Sequence, residues 1–385
     1  SYSSDSEIRY VGGCIRKILK DEKVDDIDLA TNLEPQKICE ILKKNNINYY
    51  ETGIEHGTVT VLIDNYKFEI TSLREDISTD GRHAKVQFSQ NWKEDASRRD
   101  FTINSIYSDN EGNLFDPFNG KKDLMNGLVN FIGDTDTRVK EDYLRILRYL
   151  RFFADYSKQP HNLEVIRKLK INIGGVLKLS KERLLDELKK IVKIETLEKI
   201  AKDRVSLDLF QIIFPELKNI NIFSGLNSEK KELIKEADFI FLISLMIIDK
   251  TDNADYFIYK FNLSKKDQKR IKIIDNFYNE TIQSKIFTED KMNRIFYFDG
   301  RQAVIDILYY QSIKSKKIDY NFDELIDLYK HKEIPKMPIS AEVLMTKFNI
   351  PEGKHLGLKL KLIEEEWVKN NFKISNEQVN NIINN

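Results

Sequence analysis

The chain has 385 residues, 41% of them hydrophobic, with only 15 Gly and 7 Pro, which excludes a disordered polymer and predicts two or more folded, helix-rich domains. Lys+Arg and Asp+Glu balance at 62 each, so any polyanion must be met by local basic patches and not by an overall positive field. Two cysteines without CxxC spacing and five scattered histidines supply neither a disulfide framework nor a zinc site, and a reducing cytoplasm is expected.

In chain order, Gly12-Gly13-Cys14-Ile15-Arg16 comes first: a turn whose backbone N–H groups can approach an anion, followed by the helical spacing Ile15, Ile18, Leu19. Asp26-Ile27-Asp28 leads into a predicted strand over Ile27 to Thr31. Residues two apart on a strand share a face with roots about 7 Å apart, which suits shared metal ligation. Pro35 opens a predicted helix carrying Ile38, Ile41 and Leu42. Strands are expected over Val59 to Ile63 and Lys67 to Leu73, and alternation in the second turns Glu69 away from Phe68 and Ile70. Glu69 is therefore the candidate third carboxylate, because joining a nucleotide to a hydroxyl calls for divalent ions held by clustered acids. Arg98-Arg99-Asp100 precedes a strand expected over Asp100 to Tyr107, placing guanidinium forks beside Asn104-Ser105, and Gly112, Pro117 and Gly120 mark loops around Asp116. Each piece alone has a plainer reading: a Gly pair as a turn, Asp-x-Asp as chance in a chain with 32% charged residues, Glu69 and Arg98-Arg99 as surface charge.

Beyond about Gly133 the pattern becomes helical. Leu144, Leu147 and Leu150 mark one helix, and Leu184, Leu185, Leu188 and Ile191 another, with Ser180 as its N-cap. Asp142 and Arg145, read as one helical turn apart, would set an acceptor beside a donor fork, the combination that reads a base edge; the plainer reading is a helix-surface ion pair. The apolar run Phe239 to Ile248 is too short to cross a bilayer and reads as a buried helix. Lys265 to Arg270 and Lys314 to Lys317 could contact phosphates and give salt-sensitive binding, the plainer reading being solvated helix faces, and the Asn-rich tail from Asn380 is expected to fray.

These pieces stand in one order: Tyr10-Val11-Gly12-Gly13-Cys14-Ile15-Arg16, Asp26-Ile27-Asp28-Leu29-Ala30-Thr31, His56-Gly57-Thr58-Val59-Thr60-Val61 and Phe68-Glu69-Ile70-Thr71-Ser72-Leu73-Arg74. Thr79-Asp80-Gly81-Arg82-His83-Ala84, Arg98-Arg99-Asp100-Phe101-Thr102-Ile103-Asn104, Asp116-Pro117-Phe118-Asn119-Gly120 and Glu141-Asp142-Tyr143-Leu144-Arg145 follow. The series resembles the class II tRNA nucleotidyltransferases, or CCA-adding enzymes, and their bacterial poly(A) polymerase relatives. The blocks around Gly81 and Arg145 are most similar to the alphaproteobacterial and mitochondrial branch. Lys354 to Phe372, with Trp367, loosely resembles the family's tail.

The resemblance implies an α+β head of polymerase-β-like nucleotidyltransferase fold over residues 1–133, then an all-α neck over 134–200 and a tRNA-binding body and tail over 201–385. It implies that Gly12, Gly13 and Arg16 meet the triphosphate, that Asp26 and Asp28 bind two Mg2+ ions, and that Glu69 completes the catalytic set. Arg99, Asp100 and Asn104 would handle the ribose. Asp142 and Arg145 would pair with incoming CTP or ATP in place of a template, supported by Arg148 and Arg151. Arg74 to Phe88 matches the family's flexible loop, and Ser180 to Leu188 the helix that steadies the neck. One departure is Lys17, where the family usually has Asp. The expected activity is template-independent addition of C, C and A to tRNA by a cytoplasmic, non-membrane, monomeric enzyme. Poly(A) synthesis, partial C- or A-addition, and an inactive RNA-binding module are the alternatives. Gly53 to Val61 lacks the Gly-basic-basic-Phe stretch of the poly(A) branch, which favours CCA addition.

Overall fold

The computed structural model describes residues 6–64, 66–79, 84–284, 288–315 and 322–384. The chain divides into two compact units, Ser1–Pro215 and Glu216–Asn385.

The first unit begins with β1 (Ile8–Val11), α1 (Gly13–Leu19), β2 (Ile27–Thr31), α2 (Pro35–Lys44), β3 (Asn48–Gly53), β4 (Thr58–Ile63) and β5 (Tyr66–Ser72). A hairpin of β6 (Arg74–Thr79) and β7 (Ala84–Phe88) and the short α3 (Trp92–Ser97) follow, then β8 (Tyr107–Ser108) and β9 (Leu114–Phe115). Seven strands form one sheet in the order β3-β4-β5-β2-β1-β8-β9, in which β2 and β5 run parallel and the other neighbours antiparallel. Strand alternation divides the sheet into two faces. Leu29, Val59, Val61, Phe68 and Ile70 pack on Ile38, Cys39 and Leu42 of α2, whose first turn holds Pro35 as expected. On the reverse face, Val11, Ala30, Leu73 and Tyr107 are covered by Ala96 of α3, while the β3–β4–β5 end stays open.

The strand expected over Asp100 to Tyr107 is absent. Thr102–Asn104 is a 3-10 turn, Phe101 makes one isolated bridge to Phe131, and pairing resumes only at Tyr107. The Asp100 carboxylate accepts from the Phe101 N–H and from Asn104, and Ser105 Oγ donates to the Thr102 carbonyl, so local side-chain bonds bend the chain out of extended form.

Past α4 (Gly120–Asn126) the first unit is helical: α5 (Thr135–Glu141), α6 (Leu144–Tyr156), α7 (Leu163–Asn172), α8 (Lys181–Ile191), α9 (Ile194–Lys202) and α10 (Arg204–Ile213). The Ser180 hydroxyl caps α8 as its sequence suggests. Helix α6 buries Ile146, Leu147 and Leu150 against α8 and α9. Its aromatic residues reach Phe101, which lies 6.4 Å from Tyr149 and 5.4 Å from Phe152, ring centre to ring centre.

The second unit contains α11 (Ser228–Leu233), α12 (Phe239–Ile247), α13 (Asn253–Phe261), α14 (Lys265–Ser284), α15 (Glu289–Asp299), α16 (Arg301–Lys314), α17 (Phe322–His331), α18 (Ala341–Phe348), α19 (Lys354–Lys369) and α20 (Asn376–Asn384). The apolar run is α12, buried from Ile240 through Ile247, and among the described residues no helix is long and apolar enough to cross a membrane. In the basic cluster, Arg270 is not solvated: it pairs with Asp238 and with buried Asp306. Lys316 and Lys317 lie outside the described residues. The tail does not fray. Val379, Ile382 and Ile383 of α20 pack on Leu344, Ile350, Leu356 and Ile363, and the Lys359 ammonium donates to the Ile382 carbonyl at 2.8 Å.

Candidate active site

On the open face the strand register sets Tyr50, Thr60, Glu69 and Asp28 side by side across β3, β4, β5 and β2. Neighbouring strands lie about 4.8 Å apart, so Asp28 and Glu69 project the same way from adjacent roots. Asp26 precedes β2 by one residue and is exposed, whereas Asp28 is half-buried. Burial pushes the Asp28 carboxyl above the usual carboxylate range, the neighbouring charges of Glu69 and Asp26 push the same way, and Arg99 opposes them. Lys67 donates to Glu69 at 2.6 Å. Among the described residues no three acidic, His or Cys side chains stand ready to enclose an ion. The carboxylates fit a hard cation of the kind that takes one or two acids and completes its shell from substrate phosphates and water.

On the other side of Asp28, β1 runs into Gly12, which holds φ +72° at the start of α1, a backbone region that favours glycine. A Cβ on Gly12 would sit 3.7 Å from Nη1 of Arg99, and one on Gly13 would meet open space, so the turn presents bare backbone beside a guanidinium. Cys14 is a packed thiol: it donates to the Val11 carbonyl, and burial pushes its pKa up. Lys17, the departure from the Asp usual in the resembled family, pairs with Asp25 at 2.6 Å.

Arg99 is fixed by two groups: Nε donates to the Tyr107 hydroxyl at 2.9 Å, and Nη2 to Asp95 at 3.1 Å. Asp95 is 1% exposed and also accepts from Arg98 and Tyr107. Burial alone would raise its pKa, but the Arg99 and Arg98 guanidiniums hold it at about 2. Sequence reasoning missed Asp95, although it lies three and four residues before the double arginine, on one helical face.

A second chain of bonds runs inward. Arg16 donates to Asn104 Oδ1, Asn104 Nδ2 donates to Asp100 at 2.8 Å, and Arg148 Nε donates to Asp100 at 2.6 Å. Arg16 is buried, its guanidinium over the rings of Phe152 and Tyr156, and its Nε finds no hydrogen-bond partner among the described residues. Arg16, Asn104, Asp100 and Arg148 therefore form one network joining α1 to α6. Arg151 leaves this line and donates to buried Glu187 of α8 at 2.6 Å.

Asp142 and Arg145 do not share a helix turn as expected. Asp142 has φ −152° in the break between α5 and α6, where it accepts from Arg183 at 2.7 Å, while Arg145, in the first turn of α6, donates to Glu141 at 2.5 Å. Arg138 joins them, donating to Glu141 at 2.5 Å and to the Arg99 carbonyl at 2.6 Å. Arg183, Glu141 and Arg138 were not singled out from sequence, because their partners are set by the break between the helices. Asp80 to His83 lie outside the described residues.

Residues 8–130 match the family described as the Poly A polymerase head domain. The chain is 31% identical over 383 residues to the mitochondrial CCA tRNA nucleotidyltransferase 1 of Mus musculus, covering 97% of this chain and 85% of the relative. Among solved structures it is similar to the Bacillus stearothermophilus CCA-adding enzyme in complex with CTP, with TM-score 0.70 and 19% identity over 95% of this chain and 89% of the other. It is also similar to a tRNA nucleotidyltransferase complexed with a primer tRNA and an incoming ATP analog, with TM-score 0.62 and 21% identity over 84% and 94% of the two chains.

Proposed function

We propose, given that the chain belongs to the CCA-adding tRNA nucleotidyltransferase family, that it adds C, C and A to tRNA 3′ ends from CTP and ATP without a nucleic-acid template. The observation that carries the chemistry is the register of β2 and β5, which sets Asp28 against Glu69 on an open sheet face. In our reading Asp26 and Asp28 hold two divalent cations, magnesium for preference, which when bound neutralise charge on the triphosphate. Glu69 completes the acidic set and takes the proton of the attacking hydroxyl. A bond forms between the terminal tRNA oxygen and the α-phosphorus, the bond from that phosphorus to the bridging oxygen breaks, and pyrophosphate leaves.

Gly12 and Gly13 offer backbone to the triphosphate, with Arg16 behind them. Arg99, Asp100 and Asn104 form the sugar side, and the ion pairs to Asp95 and Arg148 keep these groups in fixed rotamers. Asp142 and Arg145 read the base edge, each oriented by its own partner, Arg183 or Glu141. Arg148 and Arg151 brace the reading helix. We keep the division into a head over 1–133, a neck over 134–200 and a tRNA-binding body and tail over 201–385, in a monomer acting in the cytoplasm.

The test is incubation of the protein with a tRNA transcript lacking its terminal trinucleotide, plus CTP, ATP and magnesium. Three additions and a stop support CCA synthesis. A long A tail would make it a poly(A) polymerase, and arrest after C, C or acceptance only of a CC end would make it a partial enzyme. No extension despite tRNA binding would make it an RNA-binding module.

A further inference from the structure

Between α5 and α6 the chain leaves the helical path: Asp142 holds φ −152° and ψ 107°, and Tyr143 is the residue that turns it back into α6. Two neighbouring residues of this break are gripped by one continuous stretch of chain, the 3-10 turn Ile173–Lys178 and the helix α8 that follows it. Arg183 of α8 donates to Asp142 at 2.7 Å. The turn meets Tyr143 through Gly175, where a Cβ would lie well inside 3.0 Å of Cδ1, Cε1 and Cζ of the tyrosine ring. The ring therefore lies flush on bare backbone.

Gly175 is not in the left-handed region, so its backbone conformation would accept alanine, and the nearest obstacles to a side chain are all atoms of the Tyr143 ring. Gly174, one residue earlier, faces open space. The Lys178 ammonium stands 5.8 Å from the centre of the same ring, at cation–π distance. The turn is itself held in place, because Val176 is buried and the turn packs against α6, α7 and α10.

We propose that Gly175 and Tyr143 are positioning residues for nucleotide selection: the bare backbone seats the ring, and the seated ring sets the angle at which Asp142 and Arg145 meet the incoming base. The inference rests on the base-reading role given to that pair above. Tyr143 shares a planar peptide with Asp142, and the Asp142 carboxylate accepts from the Leu144 N–H at 3.1 Å, across the tyrosine. A ring pushed off its seat thus tilts the carboxylate together with the first turn of α6, which carries Arg145. Cytosine offers an amino donor where uracil offers a carbonyl acceptor. One acceptor and one guanidinium fork tell the two apart only while both keep their angle, so the seat acts on the choice between CTP and UTP.

The experiment uses the full chain and a tRNA transcript ending before its CCA, and reads the ratio of kcat/KM for CTP to that for UTP in single-nucleotide incorporation. A role confined to folding would change the active fraction alike for both nucleotides and leave this ratio untouched. Gly175→Ala should lower the ratio by about tenfold, within the range that a bidentate base contact provides. Tyr143→Ala, which removes the ring, should lower it by a similar factor, and Gly175→Ala added to Tyr143→Ala should cost nothing further, because the added methyl then has no ring to displace. Tyr143→Phe and Gly174→Ala should keep the wild-type ratio. The proposal is overturned if Tyr143→Ala keeps that ratio, if Gly175→Ala is folded and keeps it, if Gly175→Ala lowers it as much without the ring as with it, or if Gly174→Ala lowers it equally. Should Arg145→Ala leave the ratio unchanged, the base-reading assignment fails instead, and wild-type protein that extends no tRNA would overturn the CCA-adding reading.

Discussion

Replacing Arg148 with alanine removes the guanidinium that donates to Asp100 at 2.6 Å and strands a carboxylate that is only 7% exposed. Burial by itself would raise the pKa of Asp100; Arg148, Asn104 and the Phe101 N–H reverse this and hold it at about 2, against an ordinary value of 3.8. A gap of roughly two units stabilises the folded state by about 2.5 kcal/mol at neutral pH. Because the folded value is depressed, this contribution is complete above about pH 4 and is lost as the pH falls toward 2. Without Arg148 the carboxylate keeps its two neutral donors and loses its counter-charge, so the expected penalty at pH 7 is about 3 kcal/mol, the low end for a broken buried pair. Protonation now relieves the variant, so its deficit should narrow as the pH falls from 7 to 4. The measurement is urea unfolding of the full chain in a Trp367→Phe background, where Trp92 alone reports the 1–215 unit. Asp100→Asn combined with Arg148→Ala should recover most of the loss. A penalty below about 1 kcal/mol, a deficit that does not change with pH, or a double variant no better than the single one would refute the reasoning.

If Asp28 holds the metal as proposed, Asp28→Ala should abolish nucleotide addition while tRNA affinity, measured by filter binding, stays within about twofold. Arg145→Ala should weaken discrimination among the four nucleotides by roughly ten- to hundredfold in single-nucleotide incorporation, since a bidentate base contact contributes about 1–3 kcal/mol. Val379→Ala, at a position 2% exposed in the tail core, should destabilise the 216–385 unit by about 2 kcal/mol, seen in Trp367 fluorescence and not in that of Trp92.

What was legible in the sequence follows the range of the forces involved. Strand β2 and helices α2 and α8 depend on alternation, an N-terminal proline and a capping serine, all of which are local, and their elements stand where they were expected. Asp100 to Tyr107 misled because every residue in it is buried, so no polar face tells strand from turn, and the side-chain bonds of Asp100 decided the matter. The tail misled through its asparagines, although Val379, Ile382 and Ile383 keep helical spacing. At the site, motif order brought forward the glycines, acids and arginines. The groups that orient them, such as Glu187 for Arg151 and Arg183 for Asp142, lie 36 and 41 residues away in sequence and are joined only by the fold.

The acidic pair depends on hydrophobic residues that face away from it. Strand side chains alternate with period two, so a slip of one residue between β2 and β5 would send either Asp28 or Glu69 through the sheet toward α2. What forbids the slip is the reverse face, where Leu29, Phe68 and Ile70 are held against Ile38, Cys39 and Leu42. Like charges on neighbouring strands repel, and the rise in the Asp28 pKa records that repulsion together with burial. The apolar face therefore holds the carboxylates at a spacing they would not choose alone.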